Sequence, residues 1–223
     1  MSQRARQLVE DARKAISSVE ERILLHPYLE ALEKRRMGKG KLALFAGQQR
    51  HIVESGLRSV GRVSSREESR KAREFLGAML RGETAALEAL GAFGKALGLS
   101  TEQLRATEPI PGAFAFSAYV AWLSVYGTTA EFAGAFLANL DAWGRNCGRL
   151  GRALQSNYGF AASDLVFFEL FAGEKSGFFE QGIAVLEDGL EEGVDPARIR
   201  RAARMLQGYE LMFWDTIWDA SRS

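Results

Sequence analysis

The chain has 223 residues, with hydrophobic residues at 47% and charged residues at 26%, the balance of a globular protein large enough for a sizeable core. Its formal charge of +1 gives no overall field that would favour nucleic acid or an anionic membrane as a partner. No apolar run approaches the roughly 20 residues of a membrane span, and the charged segment from Met1 to Glu21 lacks the apolar stretch of an export signal. A single cysteine, Cys147, excludes an internal disulfide and fits a reducing compartment. The expected location is the cytoplasm.

Periodicity predicts helices over Gln3–Leu25, Tyr28–Met37, Lys39–Val63 and Glu67–Leu97, then over Gly112–Tyr126, Thr129–Gln155, Ala161–Ala172, Lys175–Glu192 and Pro196–Ala220. Start signals support them: Ser65 ahead of Glu67 and Glu68, Ser100-Thr101-Glu102, Thr128 ahead of Glu131, and Asp195-Pro196. The four prolines, at 27, 109, 111 and 196, all fall at breaks between periodic runs. No stretch alternates like a strand between hairpin turns, so no sheet is expected. Glu108-Pro109-Ile110-Pro111-Gly112 is a loop too short to be a flexible linker. One all-α domain over residues 1–223 follows.

The 23 glycines are many for a helical chain, because each interior glycine costs about 1 kcal/mol relative to alanine. Gly47, Gly56 and Gly134 are candidates for close helix packing, and Gly38 and Gly173 for helix stops. Gly144, Gly148 and Gly151 alternate with arginines but follow no strand, so they form no nucleotide fingerprint.

Several polar groups interrupt apolar faces. In Lys39–Val63, Gln49 shares a face with Leu42, Phe45, Val53, Gly56 and Val60. In Gly112–Tyr126, Phe116, Tyr119, Trp122, Leu123 and Tyr126 cluster, which would turn the Tyr119 hydroxyl inward. Phe167, Phe168 and Phe171 form an aromatic wall. In the last helix Glu210 lies among Ile199, Ala203, Leu206, Phe213 and Ile217, with Trp214 beside it.

A buried carboxylate must be paired or neutral, or it must line a pocket. One reading of Glu210 is therefore a structural ion pair with an arginine; the other is a catalytic acid or base. An amide, a phenol, a carboxyl and aromatic slabs on separate helices suit a small planar polar ligand. They also suit an ordinary aromatic core in which Gln49 and Tyr119 bond to backbone or to each other.

The two histidines offer little to a metal. His26 reads as a helix-end residue before Pro27, and His51 points away from the Gln49 stripe toward solvent. No Glu-x-x-His or His-x-x-x-Asp-x-x-His pair exists, and nothing puts His26 in an apolar pocket as a haem ligand would require. No metal and no cofactor are expected.

Glu210-Leu211-Met212-Phe213-Trp214 resembles the closing Glu-x-x-Phe-Trp motif of the TenA/thiaminase II family, which has the haem-oxygenase-like helical bundle fold. His26-Pro27-Tyr28, Phe45-Ala46-Gly47-Gln48-Gln49-Arg50-His51 and Phe116-Ser117-Ala118-Tyr119 with Trp122-Leu123 are similar to further family segments, in the same order over most of the chain. The resemblance implies a single haem-oxygenase-like bundle, a homo-oligomer, and a small nitrogen heterocycle of the thiamin or aminopyrimidine type as ligand.

It also implies roles for particular residues. Family members hydrolyse an aminopyrimidine with a cysteine nucleophile, a C-terminal glutamate that handles protons and an aspartate that holds the ring. Glu210 stands at the glutamate position and Tyr119 at that of an active-site tyrosine. The aspartate position reads Gln49, which can bond an aminopyrimidine edge but carries no charge. A family tyrosine reads Phe171. The Pro-Cys-x-Trp segment corresponds to Asp141-Ala142-Trp143-Gly144, so the cysteine position reads Ala142 or Trp143. The implied set is Glu210 as the catalytic group, with Gln49, Tyr119, Trp143, Phe171 and Phe213 around the ligand.

Cys147, about one turn beyond the missing nucleophile, is a candidate substitute if Arg145 or Arg149 lowers its pKa, or else a small buried hydrophobe. Two functions stay open on the sequence. One is a hydrolase in which Glu210 acts on a water. The other is a non-catalytic binding or regulatory protein that kept the pocket and lost the nucleophile.

Overall fold

A computed structural model describes residues 2–173 and 175–222. Its order is α1 (Ser2–Leu24), α2 (Pro27–Glu33), α3 (Lys39–Ser64), α4 (Arg70–Ala96), α5 (Thr101–Arg105), α6 (Pro111–Tyr126), α7 (Thr129–Tyr158), a 3-10 turn (Ala162–Asp164), α8 (Val166–Ala172), α9 (Ser176–Glu191) and α10 (Pro196–Arg222). No strand occurs among the described residues. None of their helices is long and apolar enough to cross a membrane.

Local chemistry sets the helix starts. Pro27 and Pro111 occupy the first turns of α2 and α6, where a missing N–H leaves nothing unsatisfied. Thr128 and Glu131 close a reciprocal cap on α7, as Ser100 and Gln103 do on the short α5. α7 ends at Gly159, whose φ of 74° is left-handed and open to glycine.

Several boundaries differ from the sequence expectation. α4 starts at Arg70 because the Ser69 hydroxyl caps Ala72 N, while Ser65 ends α3. α2 stops at Glu33, and the chain turns through Arg35 at a φ of 53°. Gly38 therefore caps the start of α3 rather than stopping α2. The Ala161–Ala172 run splits, because the Asp164 carboxylate accepts from Ala161 N at 2.9 Å and closes a separate 3-10 turn.

The helices close a ring. α10 packs on α6, α6 on α3, α3 on α4, α4 on α8 and α9, both of these on α7, and α7 again on α10. α1 lies outside against α7, α9 and α10, with Leu8, Val9, Ile16 and Ile23 buried. Its apolar stripe is thus used within the bundle. Two seams are tight: a Cβ on Gly134 of α7 would lie 2.4 Å from Ile199 of α10, and one on Gly47 would meet Thr107 at 2.3 Å. The aromatic core is dense around Trp214, Phe213, Phe45 and Phe168, each burial contributing roughly 1.5–3 kcal/mol.

Candidate functional site

Inside the ring lies a cavity of about 200 Å³. α3, α4, α6, α7, α8, α9 and α10 all contribute to its wall. It is smaller than the roughly 300–1,000 Å³ of drug-sized sites, so it suits one small ring. Ile52, Val53, Met79, Phe116, Phe136 and Phe178 make most of it apolar.

Glu210 stands in this wall, 3% exposed, on the face that also buries Leu206, Phe213 and Ile217. One carboxylate oxygen accepts from Trp214 Nε1 at 3.1 Å, and the other from the Asn139 side-chain amide. Asn139 also donates to Gln207 Oε1 at 3.0 Å, which fixes its orientation. No arginine or lysine forms an ion pair with Glu210 among the described residues, so the ion-pair reading fails. Burial pushes its pKa up to about 7, against the opposing pull of the two hydrogen bonds, and the nearby Glu20 carboxyl adds to the rise. Such a group can take up or release a proton near neutrality.

Gln49, Trp143, Phe171 and Phe213 line the same cavity. Gln49 is 2% exposed, and its amide makes no hydrogen bond among the described residues, whereas neighbouring Gln48 bonds Glu108 O and Ile110 N. Trp143 meets Phe171 and Phe213 edge-on, at ring separations of 5.8 and 6.5 Å. Of the aromatic wall, Phe167 and Phe168 are buried in the core and only Phe171 reaches the cavity.

Tyr119 does not join this set. Its half-buried ring stacks on Trp122 at 5.9 Å and touches Tyr209 of α10 at 5.2 Å, away from the cavity lining. Phe116, three residues earlier, is the α6 residue in the wall.

Cys147 lies elsewhere too. It is fully buried in the core, and burial pushes its thiol well above the ordinary range, with Glu210 adding to the rise. Arg149 is engaged by Glu33 at 2.7 Å and Arg145 lies 3.9 Å from Asp141, so neither activates the sulfur. The thiol stays neutral, and the small-hydrophobe reading holds. Ala142 is also buried away from the cavity, so of the two residues aligned with the family cysteine only Trp143 faces it. The α7 group that meets Glu210 is Asn139, one turn earlier.

Three polar cavity residues were missed in the sequence: Asn139, Glu83 and Lys175. Asn139 interrupts the apolar run from Phe132 to Leu140. Glu83 shares a face of α4 with Met79, Ala86 and Leu90, the same signal that marks Glu210. Lys175, between α8 and α9, also lines the wall, but its ammonium donates to Leu170 O at 2.9 Å and Gly173 O at 3.3 Å.

The histidines have structural partners. His26 caps α2, accepting from Tyr28 N at 3.3 Å and facing Asp215 at 3.1 Å, and burial lowers its pKa. His51 is half-buried, not exposed as expected, because its ring bonds Thr107 O at 2.6 Å. Among the described residues, no three His, Cys, Asp or Glu side chains come together as a metal would need.

Solved structures share this architecture. A TenA homologue from Pyrococcus horikoshii superposes with a TM-score of 0.77 at 16% identity, covering 95% of this chain and 98% of its own. One from Pseudomonas syringae gives 0.78 at 15% identity, covering 96% and 92%. A domain of unknown function with a haem-oxygenase-like fold, from Shewanella denitrificans, gives 0.79 at 15% identity, covering 94% and 91%. No curated protein matches at a significant level. The family model described as the TENA/THI-4/PQQC family matches residues 13–220. With this bundle and this match over nearly its whole length, the chain belongs to the TENA/THI-4/PQQC family.

Proposed function

We propose that the chain binds a small nitrogen heterocycle of the thiamin or aminopyrimidine type in the central cavity and hydrolyses its exocyclic amine. The observation that carries this reading is Glu210: a carboxyl in the cavity wall, held by two neutral donors, unpaired with any cation and raised to about 7. The free amide of Gln49 meets the edge of the ring, and Trp143, Phe171 and Phe213 supply its apolar enclosure.

With no thiol in the wall, water is the nucleophile. The Glu210 carboxylate takes a proton from water as its oxygen bonds the carbon that bears the amino group. The carbon–nitrogen bond breaks, and the protonated carboxyl returns the proton to the leaving nitrogen. The products are the alcohol and ammonia. One group suffices for both transfers because its pKa lies near the working pH. On this reading the chain is a cytoplasmic hydrolase. We also propose that it self-associates, through the α6 face that exposes Trp122, Val125 and Tyr126.

The test combines thermal shift against thiamin and aminopyrimidines with an ammonia-release assay, for the wild type and Glu210→Gln. At about a hundredfold excess over Kd, a bound heterocycle should raise Tm by about 5 °C or more. Ammonia release by the wild type and its loss in Glu210→Gln support the hydrolase. Binding without release would establish the non-catalytic alternative. No binding, with Glu210→Gln merely less stable, would reduce Glu210 to a structural residue.

A further inference from the structure

The alternation of glycine and arginine along α7 plays no part in that reaction. It builds a second depression, a groove of about 610 Å³ between α1, α7, the end of α8 and the start of α9. Gly144 and Gly148 line it, where a Cβ on Gly144 would lie 2.7 Å from Phe171 O and one on Gly148 3.5 Å from the Ala172 Cβ. Without those side chains the end of α8 rests directly on α7. Arg145, Arg149 and Arg152, spaced about a turn apart on α7, line the same groove, as do Arg13 of α1 and Lys175.

The five cations differ in how far they are engaged. Arg149 donates to both Glu33 oxygens, at 2.7 and 2.8 Å, and Lys175 is held by two backbone carbonyls at the end of α8. Arg13 donates to Leu137 O at 2.8 Å and lies over the Phe179 ring at 5.3 Å, but its buried Nε has no partner. The Arg152 guanidinium makes no hydrogen bond or ion pair among the described residues, although its charge is felt by Glu33. Arg145 is 3.9 Å from Asp141, beyond hydrogen-bond length. Asp141 is the acid in the lining, with Glu20 of α1 near it, so positive charge stays in excess. The chain's formal charge of +1 hides this local field.

Guanidinium forks from two helices around one groove suit the several oxygens of a phosphate better than a lone carboxylate, which one fork satisfies. Leu137, Phe178 and Phe179 make another part of the lining apolar, and the volume falls in the range of small-molecule sites. We propose that this groove is a second ligand site, which holds an organic phosphomonoester with its phosphate among Arg13, Arg145 and Arg152 and its organic group against Phe178 and Phe179. The site is independent of the heterocycle reading, since Glu210, Gln49 and Trp143 line only the central cavity.

The probes are phenyl phosphate, inorganic phosphate and phenol, titrated calorimetrically into the whole chain at one ionic strength. Phenyl phosphate should saturate a single site about fivefold or more tightly than inorganic phosphate, because its ring is also buried, and phenol should not register. Arg145→Gln and Arg152→Gln alter exposed positions that the fold does not need, and each should weaken phenyl phosphate about tenfold. Arg58→Gln, an exposed cation of α3 outside the groove, should change it by less than about twofold. Equal affinity for phenyl phosphate and inorganic phosphate overturns the organic ligand class. Equal losses in all three variants, or no saturable binding of phenyl phosphate, overturn the site itself, and neither result touches the heterocycle reading.

Discussion

Glu210 links stability to pH with a definite sign. Its folded pKa, about 7, exceeds the ordinary value of 4.5, so the folded state holds the proton more tightly than the unfolded one. Its contribution to stability is therefore fullest below pH 4.5 and is lost as pH rises through 7, by about 3 kcal/mol over that window. Denaturant melts between pH 5 and 8 should show this decline, and Glu210→Gln should flatten it. Cys147 gives the opposite kind of expectation. Because the thiol is buried outside the cavity, Cys147→Ala should lower stability by about 1 kcal/mol and leave ligand affinity and turnover unchanged. A loss of turnover with the fold intact would restore the thiol to the mechanism. Tyr119→Phe serves as a control, since its hydroxyl lies outside the cavity.

At the scale of the helix, legibility followed the contrast between faces. α10 and α3 each have one apolar face, so Glu210 and Gln49 could be located by spacing alone. α6 is apolar nearly all round, and spacing on such a helix does not say which residue reaches the cavity, so it did not single out Phe116. On α4, Glu83 sits in sequence between Arg81 and Glu88, both exposed, and these charged neighbours mask the carboxyl that lines the cavity. On α7 the matched motif pointed one turn past the residue that meets Glu210. Boundaries failed where side chains compete with the helix, as at Ser69 and Asp164. The tight α7–α10 seam carries its own prediction. Gly134→Ala forces its new methyl into Ile199, so the overpacking cost of roughly 1–3 kcal/mol should outweigh the helix-propensity gain of about 1 kcal/mol. Thermal melting should show the variant below the wild type.

For the whole molecule, the exposed aromatic face of α6 is the feature that a lone bundle leaves unexplained. Trp122 and Tyr126 remain 50% and 67% exposed beside the Tyr119 stack. Sedimentation should find an oligomer for the wild type and a smaller species for Trp122→Glu, with the helical content unchanged. The ring of helices has another consequence. Seven helices each supply a piece of one small chamber, so a molecule lodged there touches segments far apart along the chain. Occupancy should then slow amide hydrogen exchange in all seven at once rather than at a single flap. The protein would respond to its ligand as a barrel tightened by one hoop.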